Sequence, residues 1–209
     1  MISLAEYLQN PCAELSVPYW KAKALSVPED RIIIHDRDFS AVYLETYRDD
    51  RYFRLKHDLK NTFRQKLDGF EIITASEKDI NTIVSIINQS YSYLQVSAAQ
   101  IKEYTETPVY MRNLWILVRE IGTGRCVGCG IADFDREAGE AILEWIQVLP
   151  LYRNRKLGQA IVNDLLDRAG LFADFATVSG KMDDPVNPEA LYRKCGFTGS
   201  DIWHVLKKR

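Results

Sequence analysis

The feature that most constrains this fold is a run of three apolar stretches between residues 114 and 150. They read "LWILVRE", "CVGCGIADFD" and "AILEWIQVLP", and each is rich in the β-branched and aromatic residues that are typical of strands. Only the short sequences "GTGR" and "REAGE" separate them, and glycine-containing links of this length are typical of hairpins. The sequence therefore predicts three consecutive antiparallel strands.

Regular patterns on both sides of these strands extend them into one domain. Before them, "FEIIT" predicts a strand, and two helices follow at capping-box sequences that begin at Ser76 and Ser97. After them come a helix with an apolar stripe, the strand "FATVSG", the helix "NPEALYRKCG" and the strand "DIWHVL". We expect an α+β domain over residues 69–209, with a mixed, mostly antiparallel central sheet flanked by helices on both faces.

Residues 1–68 differ in composition from the rest and predict a small α/β extension packed on the main domain. "LAEYLQNPCAEL" predicts a short helix broken by Pro11, and "RIIIHDRDFSAVYLETY" predicts two short strands. "DDRYFRLKHDLKNTF" predicts a helix, because one helical face would carry the apolar residues Tyr52, Leu55, Leu59 and Phe63.

Charge and hydropathy exclude several classes of protein. The formal net charge of −2 provides no global attraction for nucleic acid or an anionic membrane, so we expect neither as a partner. No apolar run approaches the roughly 18 residues that would span a bilayer. The start "MISLAEYLQNPCAEL" has no basic head typical of a secretory signal, and we expect a cytoplasmic protein.

The cysteines do not predict a metal site. Cys126 and Cys129 form a C-x-x-C pair, but no second cysteine pair or closely spaced histidine pair accompanies them. Their odd spacing on a strand also predicts side chains on opposite faces. We expect buried thiols and no metal.

The stretch "VLPLYRNRKLGQAIV" indicates where chemistry could take place. A strand ends at a proline, basic residues follow, and Gly158 opens an amphipathic helix. The free N–H groups and the dipole of a helix start form an anion site, and a glycine lets a ligand approach the backbone closely. Arg153, Arg155 and Lys156 add positive charge. The alternative is an ordinary helix start with a solvated basic edge.

The same stretch resembles the acyl-CoA signature of the GNAT superfamily of N-acetyltransferases. That signature is Gln or Arg, two residues, Gly, one residue, and then Gly or Ala; Arg153 matches its first position and Gly158 its last, whereas Lys156 replaces the first glycine. "NPEALYRKCGF" resembles a second signature of the family, Asn…Leu-Tyr-x-Lys-x-Gly-Phe. The resemblance extends from Phe70 to the C-terminus. It implies transfer of an acetyl group from acetyl-CoA to a primary amine within a ternary complex.

The resemblance also implies which residues bind the coenzyme. Backbone amides along one segment would cradle the CoA diphosphate: Arg153, Asn154, Arg155, Lys156, Leu157, Gly158 and Gln159. The strand end formed by Ile146, Gln147 and Val148 would present backbone groups to the pantetheine arm, and an N–H near Val148 would stabilise the oxyanion. We expect a helical φ at Lys156, so that its amide still donates and its ammonium pairs with a phosphate, because a positive φ would strain a lysine.

Tyr192 is the expected general acid. In the matching family helix this tyrosine points at the CoA sulfur, and a phenol with a pKa of about 10 is protonated at neutral pH and can donate to a thiolate. The alternative is a tyrosine that only packs. Asn187 either only caps its helix or also bonds the pantetheine arm.

Glu144 is the candidate base. Strand alternation predicts that Ile142, Glu144, Ile146 and Val148 share one face. A carboxylate on an apolar face either finds a cationic partner or becomes a useful base. Tyr91, Tyr93 and their loop either line the pocket for the acceptor amine or cover the core.

Two questions stay open in the sequence. One alternative to an enzyme is a catalytically silent acyl-CoA-binding module with an intact cradle but no acceptor pocket. The chain is expected to be a monomer or a homodimer, and nothing in it identifies the acceptor amine.

Overall fold

The computed structural model describes residues 2–91 and 94–209. The helices of this part are α1 Leu4–Gln9, α2 Pro11–Glu14, α3 Tyr19–Ala24, α4 Ile80–Ser90, α5 Ala98–Thr105, α6 Leu157–Ala169 and α7 Pro188–Lys194. The strands are β1 Arg31–His35, β2 Tyr47–His57, β3 Phe70–Thr74, β4 Trp115–Glu120, β5 Cys126–Asp135, β6 Glu140–Val148, β7 Phe175–Lys181 and β8 Thr198–Lys208. The predicted α+β class and the predicted element order from Phe70 onward are confirmed.

The chain divides into two compact units, and each is described by itself. One consists of residues up to His57 together with residues 177–209, and the other of residues 58–176. In the first unit β8 lies between β1 and β2 and pairs antiparallel with both. This division differs from the boundary that the sequence predicts after residue 68, because pairing with β8 joins the N-terminal strands to the end of the chain. The prediction that residues 1–68 pack on the main domain as an extension stays a prediction.

The second unit contains the predicted antiparallel strands in the order β3-β4-β5-β6. Helices lie on both faces of these strands. A Cβ at Gly130 of β5 would lie 2.5 Å from Ile161 of α6, and on the opposite face Cys126 shares a cavity with Asn81 of α4. The glycine therefore allows α6 to pack directly on the β5 backbone.

The helix predicted from residue 49 to residue 63 is wrong. Most of that segment is β2, in which Phe53, Leu55 and His57 are buried at every second position. Leu59 and Asn61 both have a φ of 57°, which ends regular structure after the strand. The helical pattern failed because antiparallel pairing with β8 satisfies the backbone of this segment.

The N-terminal strand predictions were half right. β1 is confirmed, and so is the break at Pro11, which begins α2. The second short strand is wrong, since residues Asp36–Asp38 and Ala41–Glu45 form 3₁₀ turns before β2 begins.

A β-bulge corrects the prediction for the C-x-x-C pair. Cys126 and Cys129 pair with Arg119 and Leu117, which lie on one face of β4, so Val127 is the extra residue and the two cysteines share a face. Burial raises the pKa of Cys129 to about 12. Within residues 2–91 and 94–209, no group of three His, Cys, Asp or Glu side chains could hold a metal ion.

The helices of the described part are all too short or too polar to cross a membrane.

Candidate functional site

The loop between β6 and α6 contains two left-handed residues. A 3₁₀ turn over Pro150–Tyr152 follows β6, and Asn154 (φ 63°) and Lys156 (φ 61°) then turn the chain into α6. Lys156 is the N-cap of the helix. The predicted helical φ at Lys156 is therefore wrong, because the reversal into α6 uses a conformation that glycine and asparagine adopt more easily. For a lysine it costs about 1–2 kcal/mol.

The start of α6 presents free backbone donors. The amide of Ala160 donates to the carbonyl of Lys156 at 3.0 Å, which is the first helical bond, and the amide of Arg153 donates to Pro150 at 3.3 Å. The amides of Leu157 and Gly158 donate to no acceptor in the described ranges. Two free donors at the start of a 13-residue helix form an anion site.

Gly158 is the second residue of α6, and its φ does not lie in the left-handed region. The backbone conformation therefore does not require a glycine at this position. Its predicted role, to leave the neighbouring amides open to a ligand, stays a prediction.

The three predicted cations have different roles. The guanidinium of Arg153 donates to the carbonyls of Val148 (3.3 Å) and Ser90 (3.0 Å), so it braces the loop against the ends of β6 and α4. The guanidinium carbon of Arg155 lies 5.1 Å from the ring centroid of Tyr152. Neither Arg155 nor Lys156 pairs with a carboxylate of the described chain. Arg155 and Lys156 are thus the cations available to a ligand beside the helix start.

A second bulge changes the faces of β6. Trp145 pairs with Ile131 and Leu143 with Ala132, so Glu144 is the extra residue. The predicted shared face is wrong, because the bulge puts Ile142 on the face opposite to Ile146 and Val148. Glu144 itself is half-buried.

The backbone groups at the end of β6 alternate between facing β5 and facing away from it. The amide of Leu149 donates to Val127 of β5 at 2.9 Å. Because backbone groups alternate along a strand, those of Ile146 and Val148 point away from β5. Arg153 donates to the carbonyl of Val148, which fixes that peptide in place.

The sequence did not predict the environment of Gln147. Its side-chain amide donates to the hydroxyl of Tyr91 at 2.7 Å, and the Tyr91 ring lies 6.4 Å from that of Trp145. The bulge and the end of α4 bring these groups together, so no local pattern could have indicated them. Tyr93, the other predicted residue of this loop, lies outside the described residues.

The second signature helix lies in the other unit. Tyr192 on α7 is 8% exposed and packs 5.7 Å from Phe197 and 6.2 Å from Phe53, measured between ring centroids. Asn187 accepts a hydrogen bond from the amide of Ala190 at 3.3 Å, which confirms the predicted cap. Burial raises the pKa of Cys195 to about 11, so this thiol is protonated at neutral pH.

One family model matches part of the chain. Residues 112–199 match the family model of the acetyltransferase (GNAT) domain, which confirms the predicted resemblance. The match includes β4, β5, β6, α6, β7 and α7. No curated protein matches the chain in sequence.

Solved structures share the fold at low sequence identity. The chain superposes on a GCN5-related N-acetyltransferase from Sphaerobacter thermophilus with a TM-score of 0.73 and 16% identity, over 90% of this chain and 63% of that one. A GCN5-related N-acetyltransferase from Kribbella flavida gives a TM-score of 0.60 and 15% identity, over 85% of this chain and 67% of that one. The ribosomal-protein-S18-alanine N-acetyltransferase from Escherichia coli gives 0.54 and 17%, over 66% of this chain and 93% of that one.

The chain spans less than two thirds of the length of the Sphaerobacter protein. These similarities concern the fold.

Proposed function

We propose that the protein transfers an acetyl group from acetyl-CoA to a primary amine, because residues 112–199 match the family model of the acetyltransferase (GNAT) domain. The amine nitrogen attacks the thioester carbon, a C–N bond forms, the C–S bond breaks, and CoA leaves as the thiol. The observation that carries this proposal is the pair of free amides, at Leu157 and Gly158, at the start of α6.

In this proposal the start of α6 binds the CoA diphosphate. The amides of Leu157 and Gly158 donate to its oxygens, and the side chains of Arg155 and Lys156 supply positive charge. The backbone groups of Ile146 and Val148, which point away from β5, bond the pantetheine amides as a neighbouring strand would.

Three groups act on the reacting atoms in this proposal. The N–H of Val148 stabilises the oxyanion, Glu144 accepts the proton of the amine, and Tyr192 protonates the departing thiolate. Asn187 contributes the helix cap and a contact with the pantetheine arm. Raised pKa values keep Cys129 and Cys195 protonated, which favours direct attack over an acyl-cysteine intermediate.

Turnover of an amine tests the reaction and the role of Tyr192. We expect thiol release from acetyl-CoA in the presence of at least one member of a panel of small amines, peptides and protein N-termini. With that amine, Tyr192→Phe should lower kcat by about 10²-fold or more at an unchanged Kd for acetyl-CoA, because only proton donation is lost. Unchanged turnover in the variant would remove Tyr192 from this role.

Blocking the helix start tests the cradle. If the diphosphate lies against the backbone of Gly158, a side chain at this position would displace it, so Gly158→Leu should weaken acetyl-CoA binding by about tenfold or more, measured by calorimetry. Gly122→Leu is the matched control, because a Cβ at Gly122 meets nothing within 4 Å. Equal affinities of both variants would contradict the cradle.

A catalytically silent acyl-CoA-binding module is the second candidate function. The packing of Tyr192 between two phenylalanine rings favours it, because a purely structural tyrosine would be buried in the same way. Tight acetyl-CoA binding without thiol release across the whole panel would support this candidate.

A further inference from the structure

A cavity of about 470 Å³ lies beside the start of α6. Two separate stretches of the chain line it. The segment before β3 contributes Lys66, Asp68 and Phe70, and the loop before α6 contributes Arg155 and Lys156. Neither the diphosphate cradle nor the catalytic groups proposed above use Lys66 or Asp68.

The charges of this cavity are unbalanced. Lys66, Arg155 and Lys156 are three cations against the one carboxylate of Asp68, which leaves a net charge of +2. None of the three cations forms an ion pair within the described ranges. An anion from solution would therefore meet side chains that no protein carboxylate already neutralises.

Two other cations of the same unit do form ion pairs. Arg64 lies 2.7 Å from Asp167 and Arg119 lies 2.8 Å from Glu71. The cavity differs from these two sites because three cations that form no ion pair in the described part of the chain line one space.

Lys156 connects this cavity to the helix start. It is both the N-cap of α6 and part of the cavity wall. A ligand whose diphosphate lies on the amides of Leu157 and Gly158 therefore has the cavity next to it. Coenzyme A carries such a second group, since the 3′-hydroxyl of its ribose bears a phosphomonoester separate from the diphosphate.

We propose that the cavity of Lys66, Arg155 and Lys156 binds the 3′-phosphate of CoA. Lys66 is then a specificity-determining residue, because it favours CoA over dephospho-CoA and touches no other phosphate. This inference rests on the proposed function, since it takes acetyl-CoA as the co-substrate. A phosphomonoester carries nearly two negative charges at neutral pH, and Lys66 adds to the positive charge that Arg155 and Lys156 share with the diphosphate.

Binding of two coenzymes to three proteins tests the inference. We expect the unaltered protein to bind CoA about tenfold more tightly than dephospho-CoA in calorimetry at low salt, and the difference to shrink as salt is added. Lys66→Gln should weaken CoA binding about threefold to tenfold and leave dephospho-CoA binding unchanged. Lys60→Gln is the matched control, because Lys60 is an exposed lysine of the same segment outside the cavity and should change neither affinity.

A variant that makes the cavity more positive should have the opposite effect on CoA binding. Asp68→Asn removes the carboxylate of the cavity, so CoA should bind about twofold to fivefold more tightly while dephospho-CoA binding stays the same. Both variants replace exposed side chains, and an unchanged melting temperature will establish that each is folded.

The outcomes separate the inference from the proposed function. Equal binding of CoA and dephospho-CoA by the unaltered protein would overturn the inference alone, as would equal weakening of both coenzymes by Lys66→Gln. Absence of binding by either coenzyme would overturn the proposed function. Tight binding of inorganic phosphate that leaves the affinity for CoA unaltered would identify the cavity as a site for a separate phosphate, and would also overturn the inference.

Discussion

Lys156, at the start of α6, has a strained backbone and also a charged side chain that is available to a ligand. Lys156 adopts a φ of 61°, which a glycine would adopt without cost. The lysine is strained there, but its ammonium lines the cavity that we assign to the 3′-phosphate. In our proposal, the charge of Lys156 compensates for a backbone conformation that would favour the glycine of the GNAT signature.

Replacing this lysine with glycine should separate stability from binding. Lys156→Gly relieves the left-handed strain but adds freedom to the unfolded chain, so the free energy of unfolding should rise by about 0.5–1 kcal/mol. Affinity for CoA should fall in the same variant, because a cation is lost. Urea denaturation and calorimetry measure the two effects. Asn154→Gly is the control: asparagine tolerates the left-handed region, so this variant should gain less stability than Lys156→Gly. A loss of stability in Lys156→Gly would contradict the assigned strain.

Bulges and glycines decide how the elements of the second unit fit together. The bulge at Glu144 changes which face each later residue of β6 occupies. Gly130 leaves room for Ile161 and Leu165, which would lie 2.5 Å and 3.1 Å from a Cβ at this position. The packing of α6 on β5 therefore sets the position of the helix start to which we assign the diphosphate.

An added methyl group at this contact should be destabilising. Gly130→Ala should lower the free energy of unfolding by about 1–3 kcal/mol, because the added Cβ would clash with Ile161 unless the β5 backbone or the Ile161 side chain moves. In a double-mutant cycle, Ile161→Ala should recover part of this loss, since it removes the clashing methyl group. Denaturant unfolding measures each step, with Gly122→Ala as a neutral control. Strict additivity of the two changes would show that the contact is not the cause.

Buried charge contributes to the stability of the molecule as a whole. Asp50 on β2 accepts hydrogen bonds from Lys207 of β8 at 2.8 Å and from Lys181 of β7 at 2.9 Å. These bonds lower the pKa of Asp50 to about 2. The carboxylate is nearly buried, so the effect is not lost to solvent screening.

The pH dependence of stability follows from the lowered pKa. Because the folded pKa of Asp50 lies below its unfolded value of about 3.9, its contribution is complete above about pH 4 and is lost as the pH falls toward 2. Asp50→Asn should therefore cost about 1–2 kcal/mol at pH 7, and the cost should shrink between pH 4 and pH 2.5 in urea unfolding. Asp183→Asn is the control: Asp183 is an exposed partner of Arg51, and its loss should cost less than about 0.5 kcal/mol. A cost that does not change with pH would contradict the role of the ionised carboxylate.

Much of the fold could be predicted from local patterns. The strands of "LWILVRE" and "AILEWIQVLP", the capping box at Ser97 and the cap at Asn187 all depend on residues within a few positions of one another. The prediction of a helix for the segment that includes Phe53 and Leu55 was wrong because this segment depends on residues far away in the sequence. Its apolar spacing fits a helix, but a partner strand about 150 residues away makes it β2.

Some features of the candidate site could likewise be predicted from local sequence, and others could not. The sequence by itself determined that a glycine-opened helix follows a strand with cations between them, because sequence neighbours are sufficient for an anion-binding helix start. Only the tertiary structure decided the sign of φ at Lys156 and the face of each residue around Glu144. It also decided that Lys66 and Arg155 line the same cavity. Each of these depends on how strands pair and how helices pack over long sequence separations. A bulge shifts the register by one residue, and the sequence around the bulge does not show where this happens.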